Sequence, residues 1–200
     1  MSLRVSSCCA LTALLLIGCG GGASVEPGVP PTYGFVPDLR GTSVLVFPVQ
    51  LVSGDARRDV LDRELSFAVG EKGAEWLMPD DLEKALARSP GVDVELRNLP
   101  VSSFLQREVE RVGDPMFGYF IRLSALTGGR VALVPVSIQS TEADLYGDVS
   151  WSISAALIDS AEGWVIWYGT VEGERGPPGS AQLGATAAAA LVERLRPSRR

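Results

Sequence analysis

Residues 130–159 read RVALVPVSIQSTEADLYGDVSWSISAALID. Arg130 to Gln139 is an apolar, valine-rich run that fits a buried strand. Ser140 to Asp148 is polar and acidic and breaks the run. Asp148 to Asp159 then alternates, placing Val149, Trp151, Ile153, Ala155 and Leu157 on one side. Ser160-Ala161-Glu162-Gly163 is a hairpin turn, and Trp164 to Val171 returns as another strand. Three consecutive strands in this order make a meander.

Downstream, Gly173 to Gly179 is loop. Ser180 is placed to cap a last, alanine-rich helix running to about Leu195. Leu183, Ala187, Leu191 and Leu195 line its apolar face, and its small residues allow close approach to a sheet.

Upstream, strands and helices alternate. Ser43 to Val49 (SVLVFPV) reads as a buried strand, and Ser53-Gly54-Asp55 as a turn with Asp55 at a helix N-cap. Ala56 to Gly70 carries Val60, Leu61, Leu65, Ala68 and Val69 on one helical face. Glu75 to Met78 is a short second strand. Pro79-Asp80-Asp81-Leu82-Glu83 starts a helix in which Asp80 caps and Glu83 returns the bond, with Leu82, Ala85 and Leu86 inward until Ser89-Pro90-Gly91. Val92, Val94 and Leu96 alternate as a short edge strand. Ser102 to Val112 has Leu105, Val109 and Val112 at helical spacing, and Gly113-Asp114-Pro115 ends it. Phe117, Phe120, Ile121 and Ser124 form a further helical face up to Gly128-Gly129.

This order predicts an α/β fold: a mixed β-sheet of about five strands with helices packed on it. The sequence shows no internal repeat and no second domain. The expected divisions are a leader over residues 1–18, a Gly/Pro-rich linker over 19–41, one domain over 42–196 and a basic tail over 197–200.

The leader is read from charge and hydropathy. Arg4 gives a positive start, and Ala10 to Ile17 (ALTALLLI) is an apolar stretch too short to span a bilayer. Leu16-Ile17-Gly18-Cys19 follows. This tetrad resembles the bacterial lipobox. The resemblance implies diacylglyceryl transfer to Cys19 and cleavage before it, hence attachment to a lipid membrane through the acylated cysteine. Gly20, rather than Asp, follows Cys19; in a diderm bacterium that implies sorting to the outer membrane, facing the periplasm. Gly20 to Pro37 (GGGASVEPGVPPTYGFVP) would then be the tether, with a contour of about 60 Å and a coil dimension of roughly 23 Å.

Composition limits the chemistry. The chain has 200 residues, 46% hydrophobic, with a formal net charge of −6. Loss of Arg4 with the leader leaves 17 basic against 24 acidic side chains. An acidic domain repels phosphate backbones, so nucleic acid is not an expected partner. Arg194, Arg196, Arg199 and Arg200 read as a solvated tail that complements a helix C-terminus. There is no histidine, and the cysteines are Cys8, Cys9 and Cys19. Histidine-dependent triads, thiol nucleophiles and histidine-ligated zinc in the mature domain are thereby excluded.

The remaining candidates are structural or weak. Glu142, Asp144 and Asp148 crowd one loop, but their spacing is not that of an EF-hand, and a solvated turn accounts for them. Asp80 and Asp81 are explained by capping, and Gly173 to Gly179 lacks the lysine of a P-loop. No metal and no cofactor are expected. Trp151, Trp164, Trp167 and Tyr168 cluster on the closing hairpin, and one face of it is a candidate partner contact.

The layout as a whole resembles periplasmic α/β lipoprotein domains. It has VLVFPV after a lipobox and linker, a DDLEKAL helix, a helix ending at Gly-Gly before a strand (RLSALTGGRVALVPV), and a hairpin with tryptophan on its return strand (LIDSAEGWVIW). The families are the TolB amino-terminal domain, the curli-secretion lipoprotein and the lipoprotein activators of penicillin-binding proteins. The resemblance implies a non-enzymatic interaction or assembly module with an envelope protein partner. Two alternatives differ in kind. An oligomeric secretion component would form large rings in detergent extracts. A carboxylate-dependent glycan hydrolase would face two acids across a cleft, about 5–10 Å apart.

Overall fold

The computed structural model describes residues 32–54, 56–69, 73–105 and 110–196. In chain order the elements are β1 (Tyr33–Gly34), β2 (Ser43–Val46), β3 (Leu51–Ser53), α1 (Arg58–Val69), β4 (Glu75–Leu77), α2 (Pro79–Ala87), α3 (Ser102–Leu105), α4 (Met116–Thr127), β5 (Val131–Ser140), β6 (Trp151–Asp159), β7 (Val165–Glu172) and α5 (Gln182–Arg194). The protein is an α/β domain. Its single mixed sheet has seven strands in the order β1-β7-β6-β5-β2-β4, with β3 also paired to β5, and five helices pack on it.

β4, β2 and β5 are parallel, whereas β6, β7 and β1 are antiparallel to their neighbours. Two apolar layers sandwich the sheet. Val44, Val46, Leu133, Ile153 and Leu157 pack under α1 and α5 on one face. Leu45, Phe47, Val134, Ala156 and Ile158 pack under α2, α4 and the 96–104 segment on the other. Covering both faces explains why β5 reads as a continuous apolar run.

The centre of the sheet is irregular at two neighbouring prolines. Val46 pairs with Leu133 but Leu51 with Ser137, so one extra residue is accommodated around Pro48. In the next pairing, Pro135 faces Ala155 but Ser137 faces Ser154, which leaves Val136 as the unpaired, bulged residue. Proline supplies no N–H to a ladder, so each break falls where a bond is missing. The second bulge also switches faces along β5: Val134 and Val136 point to one layer, Ile138 to the other.

The freed backbone groups find side-chain partners. Val49 N–H donates to Asp62 Oδ1 at 2.9 Å, and Gln50 O accepts from Arg58 Nη2 at 2.6 Å. The buried Gln50 amide donates to Pro48 O (2.5 Å) and Leu96 O (3.1 Å) and accepts from Leu99 N–H (2.9 Å). One glutamine therefore ties the broken strand to the segment that crosses the opposite face.

Several sequence expectations are corrected. Ser53 ends strand β3 rather than forming a turn; Asp55 lies outside the described residues. Val92, Val94 and Leu96 form no strand, because Leu96, Leu99 and Val101 bury against the sheet face and the backbone bonds of Leu96 and Leu99 go to Gln50. Of the expected Ser102–Val112 helix the described residues include α3 (Ser102–Leu105), and residues 106–109 lie outside the described residues. Arg111 and Val112 run beside the hairpin instead: Arg111 bridges Trp164, and Val112 N–H donates to Gly163 O at 2.9 Å. The N-cap of α2 is Met78, because Pro79 occupies the first helical position, and the returning carboxylate is that of Asp81, which accepts from Met78 N–H at 3.2 Å. In α4 the buried residues are Met116, Phe120 and Leu123, and Ile121 is exposed. The stretch assigned to a linker contributes β1 and the buried Leu39. Gly34 there has φ +71°, and a Cβ would stand 2.1 Å from Ile166 O.

Replacing Gln50 by leucine should leave three buried backbone groups unpaired and cost about 2–4 kcal/mol. Urea titration checks this: the unfolding midpoint should fall, and an unchanged midpoint would show that the tie is dispensable.

Candidate functional site

In open α/β sheets, binding crevices form where connections leave neighbouring strands on opposite faces. Here that place is the carboxyl end of β2. The chain leaves it over one face through α1 to β4, then returns to β5 over the other face. Gln50, Arg58, Asp62 and Arg97 meet there. Asp62 is partly buried, and burial pushes its carboxyl above the usual aspartate range against the pull of the Val49 amide, Arg97 and Arg58. Arg97 stands 3.8 Å from it. These groups brace the bulge and are engaged with one another and the backbone.

The closing hairpin is a core element. Trp151 and Trp167 are buried under α1 and α5. Tyr168 is buried on the other face and stacks on Phe104, with ring centroids 5.9 Å apart. The expectation that these three side chains offer a partner contact is corrected, because helices cover both faces and β1 covers the outer edge of β7. Trp164 alone remains substantially exposed, and the Arg111 guanidinium lies over it at 5.4 Å and over Phe117 at 5.7 Å. Arg111 Nε also donates to Glu162 O at 2.8 Å. Sequence reasoning missed this cluster because it treated Arg111 as part of a helix.

The acidic loop closes on itself. Asp144 Oδ1 accepts from Tyr146 N–H (2.8 Å) and Asp148 N–H (3.0 Å), bonds that hold its carboxyl below the ordinary aspartate value. Arg175 donates to the carbonyls of Glu142 (3.3 Å) and Asp148 (3.2 Å) and stands 4.0 Å from Asp144. The carboxylate suspected of metal chemistry serves the backbone. Among the described residues no group of three or more acids, histidines or cysteines is arranged to hold a metal. The glycine loop at 173–179 pairs Gly176 with Val149, both N–H to O distances being 2.9 Å. Along α1 and α5, Glu64, Phe67, Ala185, Ala189, Glu193 and Arg196 line a shallow groove of about 380 Å³.

The lipidation residue Cys19 and its neighbours Leu16, Ile17 and Gly18 lie outside the described residues. Among those described, no helix is long and apolar enough to cross a membrane.

No family model matches the chain, and no curated protein matches it. Solved structures of similar layout include a dodecamer of a PelC variant from Paraburkholderia phytofirmans, 12% identical with a TM-score of 0.45, covering 83% of this chain and 97% of that one. A second PelC dodecamer from the same organism is 13% identical with a TM-score of 0.44, covering 84% and 98%. Lipoprotein GNA1162 from Neisseria meningitidis is 17% identical with a TM-score of 0.40, covering 70% and 84%. At such identities and TM-scores none of these assigns a family or a function, and the families named from the sequence layout are not shown by them.

Two expectations follow. Trp167→Ala should cost about 3–5 kcal/mol by emptying a core site, whereas Trp164→Ala should stay within about 1 kcal/mol; paired thermal melts would separate them. Asp62 has a folded-state pKa above its unfolded value, so its contribution to stability is largest at low pH and falls as pH rises through the folded value. In an Asp62→Asn variant the side-chain amide oxygen would still accept the Val49 N–H without titrating. The wild type should therefore gain on Asp62→Asn as pH is lowered from neutrality toward the ordinary aspartate value of 3.8. Parallel melts that show a constant gap would contradict this.

Proposed function

We propose that this chain is a lipid-anchored module of a bacterial cell envelope, held through acylated Cys19 and working by protein contact rather than catalysis. The observation that carries the reading is Leu16-Ile17-Gly18-Cys19 directly after an apolar leader segment. The fold supports it. The carboxylates Asp62, Asp81 and Asp144 each accept a backbone N–H, a structural role that favours the interaction reading. Gly20 after the cysteine assigns the anchor, in a diderm host, to the outer membrane with the domain in the periplasm. Stable anchoring then comes from more than one acyl chain on the same residue.

Cys19→Ala should abolish acylation, seen as loss of the lipid mass increment, and shift the protein from membrane to soluble fractions. A substituted protein that still sediments wholly with membranes would overturn the anchor. Crosslinking in the native envelope should capture a protein neighbour, whereas glycan cleavage by the pure protein would replace the interaction reading with an enzymatic one.

A further inference from the structure

The carboxyl end of the parallel strands carries the most exposed apolar pair of the described chain. Leu145 is 100% and Tyr146 91% exposed, side by side at the tip of the β5–β6 loop. Single exposed hydrophobic residues are ordinary, but two adjacent ones at full exposure on a short loop are not. The loop holds them there. Asp144 accepts the Tyr146 and Asp148 amides, Gly147 N–H donates to Asp144 O at 3.0 Å, and Arg175 pins both flanks. The pair is thus presented outward by a loop braced on both sides.

The same end receives the tether. β5 runs toward the loop, β6 away from it and β7 toward it again. β1 is antiparallel to β7, with Tyr33 opposite Tyr168 and Gly34 opposite Trp167. The chain therefore enters β1 from the loop side, and Thr32 lies toward Gly169 and the end of β7. Thirteen residues, 20–32, separate Cys19 from β1, and a flexible chain of that length averages roughly 20 Å end to end, less than the roughly 33 Å length of β5. An anchor at Cys19 therefore favours the loop end facing the bilayer. Leu51 and Val52 of β3, also exposed, pair with β5 at this end.

We infer that Leu145 and Tyr146 seat the domain on the membrane, their side chains entering the headgroup region of the bilayer to which Cys19 is tethered. The inference rests on the proposed lipid anchor. A leucine supplies apolar surface, and tyrosine suits the interface because its ring is apolar and its hydroxyl stays wet. Glu142, Asp144, Asp148 and Glu172 flank the tip, and the single Arg175 stands 4.0 Å from Asp144 and from Glu172, so this end is net acidic, zwitterionic lipid is the fitting surface and anionic lipid is repelled at low salt.

The test uses the full chain, processed in a bacterial host and reconstituted in phosphatidylcholine vesicles. Cys8 and Cys9 leave with the leader and the Cys19 thiol is consumed by acylation. Leu145→Cys therefore introduces the one reactive thiol of the mature chain, to be labelled with an environment-sensitive dye. Phe67→Cys is the control at the far end. The Leu145 label should emit to the blue and be quenched by brominated lipid, while the Phe67 label stays water-like. In unlabelled protein, amide exchange over residues 143–148 should slow on vesicles, and Leu145→Ser with Tyr146→Ser should remove that slowing. Water-like signals at both positions in protein that floats with vesicles and carries acylated Cys19 would overturn the inference and leave the anchor standing. Loop protection in native membranes but not on bare vesicles would overturn it in favour of a protein occupant. Protein with unacylated Cys19 that does not float would remove the anchor and this inference with it.

Discussion

The fold depends on how the sheet tolerates proline in two adjacent central strands. Pro48 and Pro135 sit where both pairings of β5 shift register. A buried strand with unpaired backbone groups is costly, of order 1–3 kcal/mol for each group. Asp62 and Arg58 from α1 and the Gln50 amide meet those groups. That repair also positions the layers: it fixes α1 on one face and draws the 96–99 segment onto the other. The shifted register then aims Ile138 into the layer that Val136 does not reach.

With both faces covered, aromatic surface is consumed inside. Trp151 and Trp167 fill the α1/α5 layer, and Tyr168 and Phe104 stack in the other. α5 approaches closely because its residues are small: a Cβ on Gly184 would meet Val60 at 2.8 Å and Trp151 at 3.1 Å, and one on Gly173 would meet the Ala187 backbone at 2.6 Å. Trp167 Nε1 is buried and finds no acceptor among the described residues, so packing of the ring outweighs one lost hydrogen bond.

Contact surface is consequently left at the two ends of the sandwich. One end carries the acidic loop and the entry of the chain into β1. The other carries Phe67, with Trp164 under Arg111 on the hairpin turn, and the alanine-lined groove runs between them along α1 and α5.

By itself the sequence determined what is encoded locally. The lipobox-like tetrad Leu16-Ile17-Gly18-Cys19 is contiguous, the alternation from Val149 to Leu157 fixes which side chains share a face, and the spacing of Leu61, Leu65 and Val69 or of Leu183, Ala187 and Leu191 marks the buried helix sides. The α/β class followed from that order. Tertiary structure decided what depends on a distant partner. β3 exists because residues 137–139 lie beside it, β1 because β7 offers an open edge, and Glu110 to Val112 run extended because the hairpin takes their bonds. Val92, Val94 and Leu96 alternate like a strand, yet Leu96 O and Leu99 N–H bond to Gln50, nearly fifty residues earlier in the chain. The site readings divide the same way. Aromatic composition marked the hairpin, but periodicity reports which side chains share a face and not what covers that face. Only the packing of α1, α5 and α4 showed that Trp151, Trp167 and Tyr168 are core while Leu145 and Tyr146, unremarked in the sequence, stand in solvent.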